Sequence, residues 1–124
     1  MVLFYPTLRI TFKLKEPLDC LLNKGRVYTI RPFVVREGMK RVIDGRTNKV
    51  VAIAMVTKIG RVHLNRLVVK VQDKYIPLSN FVEFSGFNSL GEWIIALYKV
   101  TNNTRGVKLY LYRVELLKKV KNRE

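Results

Sequence analysis

Lys49-Val50-Val51-Ala52-Ile53-Ala54-Met55-Val56-Thr57-Lys58-Ile59 is the longest strand-like stretch of the chain. Alternation puts Ala52 and Ala54 on one face and Val51, Ile53 and Met55 on the other. Both faces are apolar, which predicts a central strand covered on each side. Small side chains such as Ala52 and Ala54 suit the interior of a small barrel. Immediately upstream, Asp44-Gly45 followed by Arg46-Thr47-Asn48 reads as a hairpin-type turn. That turn pairs the long strand with a short one, Met39 to Ile43. Downstream, Gly60 predicts the next turn, and Val62, Leu64 and Leu67 to Val71 continue as strand.

Further out the pattern changes period. Leu8, Ile10, Phe12 and Leu14 alternate with Thr7, Arg9, Thr11 and Lys13, a half-buried strand. Glu16-Pro17 opens a short helix, with Leu18, Leu21 and Leu22 as its apolar stripe and Gly25 as its stop. Val27 to Val35 reads as strand, interrupted by Pro32. Pro77 to Gly86 has no decisive period. Asn88 to Val100 reads as a helix: Ser89 and Glu92 form a capping box, and Leu90, Trp93, Ile94 and Leu97 recur at helical spacing. Thr101 to Gly106 is a loop and Val107 to Leu117 a last strand. The tail from Lys118 to Glu124 is basic and predicted to fray. No repeat or linker divides the chain, so residues 1–124 read as one α+β domain, mainly β. The expectation is a small closed or half-open barrel with two or three short helices.

Composition narrows the chemistry. The 124 residues are 48% hydrophobic, enough for a core without disulfide or metal staples. One cysteine, Cys20, excludes an internal disulfide, and with one histidine, His63, it excludes a Cys/His zinc site. Cys20 sits among helix leucines and reads as a structural thiol; His63, opposite in phase to Val62 and Leu64, reads as solvent-facing. GxSxG, Walker and GxGxxG motifs are absent, so no cofactor is expected. No apolar run approaches the roughly 20 residues of a membrane span. Met1 to Pro6 lacks the basic n-region of a signal peptide, and the expectation is a cytoplasmic protein. Lys and Arg number 24 against 9 Asp and Glu, a net charge of +15. A thermophile surface raises both signs together. Here acids are scarce, which points to a polyanionic partner, nucleic acid first.

Lys24-Gly25-Arg26-Val27-Tyr28-Thr29-Ile30-Arg31-Pro32 is the most distinctive segment. In a strand, Thr29 and Arg31 share a face with Val27, and Tyr28 and Ile30 share the other. A hydroxyl and a guanidinium fork on one face, with Lys24 and Arg26 in the preceding loop, compose an anion-binding group. A solvated basic strand is the equal alternative. Among the acids, Glu16 and Glu92 serve helix starts and Asp44 serves its turn. Glu83, between apolar neighbours before Ser85-Gly86-Phe87, is the least explained.

Read with its surroundings, this segment resembles the ASCH family of PUA-like β-barrels. The family pattern Gly-x-Lys-x-x-Thr-x-Arg follows a short leucine-rich helix, here Leu21-Leu22-Asn23, and Thr29 and Arg31 occupy its last two positions. A second family stretch, Gly-Phe-x-Ser-x-x-Glu, is matched by Gly86-Phe87-Asn88-Ser89-Leu90-Gly91-Glu92-Trp93. The likeness runs from about Leu8 to Leu117. It implies a PUA-like fold and an association with RNA. Some members resemble amidohydrolases that cleave N4-acetylcytidine with the Lys, the Thr and a downstream Glu. This chain departs at those places. The Lys is Arg26, the Gly is Lys24 with Gly25 displaced by one, and the Glu is Ser85. An arginine stays protonated, so Arg26 keeps positive charge and loses proton transfer.

The expectation is a nucleic-acid-binding module, RNA before DNA, of low sequence specificity. Its contacts would come from Lys24, Arg26, Tyr28, Thr29, Arg31, Arg36, Lys40, Arg41 and Lys58. Tyr28 is the first stacking candidate, Tyr110 and Tyr112 the next. If the chain is an enzyme, a nucleoside amidohydrolase or a ribonuclease, Thr29, Lys24 and Glu83 would carry the chemistry. A third class is an adaptor docking an acidic protein. No metal and no membrane enter any of these readings.

Overall fold

A computed structural model describes residues 8–32, 34–101 and 108–120. The elements run β1 (Arg9–Phe12), α1 (Lys15–Lys24), β2 (Arg26–Arg31), β3 (Gly38–Asp44), β4 (Lys49–His63), β5 (Val68–Val71) and β6 (Lys74–Pro77). A 3-10 segment (Leu78–Phe84), α2 (Leu90–Thr101) and β7 (Leu109–Lys119) follow. The strands form one curled sheet, a half-barrel with three short helices, as the patterning predicts.

β4 organises the sheet. It pairs antiparallel with β3, β5 and β7. β7 also pairs with β2, and β1 lies parallel to β3. The main path is therefore β1-β3-β4-β7-β2, with β5 and β6 branching from the far half of β4. The β3–β4 hairpin is fixed at Asp44. Its carboxylate accepts from the Arg46 backbone N–H at 2.9 Å and from the Arg46 guanidinium at 3.2 Å. Those contacts hold the Asp44 carboxyl below its ordinary range.

Two cores lie on opposite faces of the β2–β7 ribbon. Val27, Tyr112 and Val114 join Phe12, Leu18, Leu21, Ala52, Ala54 and Val56 beneath α1. Ile30, Leu109 and Leu111 join Val62, Val69, Leu78, Trp93 and Leu97 beneath α2. Cys20 is buried in the first core, its thiol donating to the Arg26 carbonyl at 3.3 Å.

β4 serves both cores because its alternation is interrupted. Val56 pairs with Val114, whereas Val62 pairs with Leu109, with a register shift between Lys58 and Gly60. An extra residue in one strand inverts the side-chain phase beyond it. Gly60 is thus not the expected turn. It lies within β4, where a Cβ would stand 2.1 Å from the Lys70 carbonyl oxygen of β5. Glycine is required there for close backbone approach.

Other expectations need correcting. The strand begun at Arg26 stops at Arg31, before Pro32, rather than reaching Val35. α1 starts at Lys15, upstream of Pro17, and ends as expected at Gly25, whose φ is +83° and whose N–H reaches the Leu21 carbonyl at 2.9 Å. Lys118 and Lys119 belong to β7, opposite Ile53 and Ala52, so the chain is still paired where fraying was predicted. Residues 121–124 of the tail and 102–106 of the predicted loop lie outside the described residues. His63 is half-buried near the Tyr75 ring, its Nε2 buried, rather than solvent-facing.

The capping box at α2 forms as read: the Glu92 N–H donates to Ser89 Oγ at 3.1 Å. Within its first turn Gly91 is exposed, and an added Cβ would meet only Ser89 Oγ at 3.9 Å. Gly91→Ala is expected to stabilise the protein by about 0.4–1 kcal/mol, because alanine loses less backbone entropy on entering a helix. A higher urea midpoint at unchanged slope is the readout. No helix among the described residues is long and apolar enough to cross a membrane.

Candidate binding cavity

The two ends of the main sheet path, β1 and β2, are joined by a side chain. Arg31, the last residue of β2, donates from Nη1 to the Thr11 carbonyl of β1 at 2.8 Å. Its Nε donates to Thr29 Oγ1 at 3.2 Å, and its guanidinium lies 4.9 Å from the centre of the Phe12 ring. The shared face of Thr29 and Arg31 is what strand alternation predicts. Burial lowers the Arg31 pKa to about 10, an effect that Tyr112 partly offsets. Arg31 remains a cation at neutral pH.

Against this seam opens a cavity of about 520 Å³, within the size range of small-ligand sites. Ile10, Phe12, Phe87, Trp93 and Leu97 give it apolar walls. Thr29, Arg31, Lys40 and Ser85 supply polar groups. Arg9, Lys13 and Arg36 also line it and are exposed, so they form a basic rim.

Lys40 is the unexpected member. It is 3% exposed, and burial, reinforced by the Arg36 charge, pushes its pKa below the ordinary lysine value. No carboxylate among the described residues forms an ion pair with Lys40 or Arg31, and none lines the cavity. The sequence reading counts Lys40 among the nucleic-acid contacts and does not predict its burial. Its burial follows from the period of β3, where Lys40 shares the inward face with Val42, while Arg41 takes the other side.

Ser85 is fully buried, but its hydroxyl is committed to the chain turn. It donates to the Val82 carbonyl at 2.7 Å and accepts from the Phe87 N–H at 3.1 Å. It shapes the wall rather than offering the acid that the family resemblance would place there.

Of the residues read from sequence, Tyr28, Thr29, Arg31, Arg36 and Lys40 come together at this cavity, and Lys24, Arg26, Arg41, Lys58 and Glu83 do not. Arg26 is the first residue of β2, not part of a loop, so alternation turns it away from Thr29. Arg26 and Lys24 lie 5.5 and 5.6 Å from the Phe84 ring centre instead. Lys24 donates to the Glu83 backbone carbonyl at 3.3 Å. Glu83 itself is exposed. Thr29 is thus the only member of the trio Thr29, Lys24 and Glu83 in the cavity. Lys58 sits over the Tyr110 ring at 4.9 Å.

The aromatic candidates divide likewise. Tyr28 is half-buried and packs edge-on against Phe81 with ring centres 5.0 Å apart. Tyr112 is fully buried, its hydroxyl accepting from the Val35 N–H at 2.7 Å, so it offers no stacking face. Among the described residues no group of three or more His, Cys, Asp or Glu could hold a metal ion. No family model, curated protein or solved structure matches the chain.

Proposed function

We propose that the protein binds nucleic acid, RNA before DNA, with one nucleotide entering the cavity at the β1–β2 seam. The observation that carries this reading is a cavity of about 520 Å³ that combines apolar, partly aromatic walls with the half-buried Arg31 and the buried Lys40. A base has a flat apolar body that such walls accommodate, and aromatic contact with a base contributes about 1–3 kcal/mol. The exposed rim of Arg9, Lys13 and Arg36 suits the adjoining phosphates. The +15 charge favours a polyanion over a neutral ligand. The resemblance to ASCH and PUA-like proteins supports the same reading, in the cytoplasm. Phosphate contacts carry no base information, so low sequence specificity follows.

The test is fluorescence anisotropy with labelled single-stranded RNA, single-stranded DNA and duplex DNA across a salt series. The logarithm of affinity is expected to fall linearly with the logarithm of salt concentration. Removing Arg9 or Arg36 is expected to reduce that slope by about one each. Failure to bind any probe at low salt would refute the reading.

Hydrolysis of a modified nucleoside such as N4-acetylcytidine is the second reading. The presence of Lys40 and Thr29 in one cavity favours it, since a buried lysine of lowered pKa is suited to proton transfer. The lack of a carboxylate among the described cavity residues weighs against it. Turnover of N4-acetylcytidine that vanishes in both Thr29→Val and Lys40→Met would promote it over binding.

A further inference from the structure

Two cations stand inside an apolar cavity whose described lining contains no acid. Lys40 is nearly inaccessible, and the Arg31 guanidinium is held in place by Thr29 and the Thr11 carbonyl. A buried charge without a partner is costly, and a ligand of opposite charge relieves the cost. The exposed cations Arg9, Lys13 and Arg36 already suffice for phosphates that pass along the rim. The inner pair needs an anion that enters the cavity.

An internal phosphodiester is poorly suited to that place. It carries a single negative charge, and the chain continues from it in both directions. A terminal phosphomonoester has chain on one side only and carries about −1.5 to −2 at neutral pH. Its charge matches one guanidinium and one ammonium, and charged donors give the stronger class of hydrogen bond. Resting on the nucleic-acid reading above, we propose that the cavity receives the phosphorylated end of a strand. Lys40 and Arg31 hold the terminal phosphomonoester, and the apolar walls hold the base attached to it. The protein is in this view a reader of strand ends, and the rim cations follow the next few phosphates outward.

The experiment compares single-stranded RNAs of one sequence bearing a 5′-phosphate, a 3′-phosphate or hydroxyls at both ends, together with the same sequence closed into a circle. Free nucleoside monophosphate serves as competitor. One phosphorylated end is expected to bind about 10- to 100-fold more tightly than the hydroxyl-ended and circular forms. Which end it is identifies the polarity of the site. The preference is expected to disappear in Lys40→Met and, as a second variant, in Arg31→Gln, with weak binding to all forms retained through the rim. Folding of each variant is checked by thermal melting. Equal binding of circular, hydroxyl-ended and phosphorylated strands would overturn the end-reading proposal and leave the nucleic-acid reading intact. So would a phosphate preference that survives in Lys40→Met. Binding of the free monophosphate with no binding of any strand would support the phosphate site and overturn the nucleic-acid reading.

Discussion

Gly86→Ala is expected to cost about 2–5 kcal/mol of stability. Gly86 has φ +92°, a conformation that strains any residue with a Cβ. An added Cβ would also stand 2.5 Å from the Glu16 carbonyl oxygen, 2.6 Å from its carbon and 2.7 Å from Pro17 Cα. These are backbone atoms of the first turn of α1, and no rotamer change can move them aside. The strain and the overpacking are separate costs and add. The neighbours Ser85 and Phe87 both line the cavity, so displacement of this loop is expected to weaken ligand binding as well. Urea denaturation gives the stability, with Gly91→Ala as the opposite control. A Gly86→Ala midpoint equal to that of the parent would contradict the close approach of this loop to α1.

Lys40→Met is expected to act in the other direction, raising stability by about 1–3 kcal/mol while removing a functional cation. Methionine fills nearly the same volume with a flexible apolar chain. The pH dependence gives an independent check. Burial lowers the Lys40 pKa in the folded protein from its ordinary value of 10.5. Between the two values the unfolded chain binds more protons than the native one, so stability rises with pH. The penalty is fully present below the folded pKa and relieved as pH approaches 10.5. Tyr112 works oppositely. Burial raises the pKa of its phenol above 10.0, so the unfolded chain ionises first and stability falls beyond that pH. Cys20 opposes the Lys40 gain in the same way from lower pH, since burial raises its thiol above 9.0. The parent is therefore expected to gain stability from Lys40 on the alkaline side below about pH 9, and Lys40→Met is expected to lack that gain. Thermal melting across pH 7 to 10 measures both. An unchanged alkaline limb in Lys40→Met would show that Lys40 is solvated in solution. A stabilising loss of this kind is what a binding residue retained against folding stability would give.

Much of the architecture could be read before any coordinates. The paired alanines of β4, the alternation of β1, the αL stop at Gly25 and the Ser89–Glu92 cap each rest on short-range rules, and each formed. The face shared by Thr29 and Arg31 was legible for the same reason. What escaped the sequence was set by contacts between distant segments. The phase inversion in β4 arises from how β7 pairs with it, and nothing near Gly60 announces that β5 passes so close. The charge of Lys40 masks its burial. The alternation through Lys40 and Val42 already carried the signal. Lys24 and Arg26 are neighbours of Thr29 in sequence, yet the onset of β2 at Arg26 sends them to another surface. Trp93 and Phe87 join Phe12 around the cavity only after α2 packs into the core that it shares with Ile30 of β2, which no local pattern encodes.

The position of β7 has a consequence for how the protein is made. This strand comes late in the sequence, yet it lies between β2 and β4 and contributes Tyr112 and Val114 to one core and Leu109 and Leu111 to the other. A nascent chain that has not yet released residues 109–119 has no middle to its sheet. The β3–β4 hairpin and α1 can form during synthesis, but β2 has no strand to pair with. Neither core can close until translation has passed β7, and the ladders it then completes join residues far apart in sequence, a topology that folds slowly. Until then the emerging chain exposes the apolar faces of β4 and the open edge of β2. In a cell, acquisition of the fold thus waits for β7 to emerge rather than being spread along the elements that precede it.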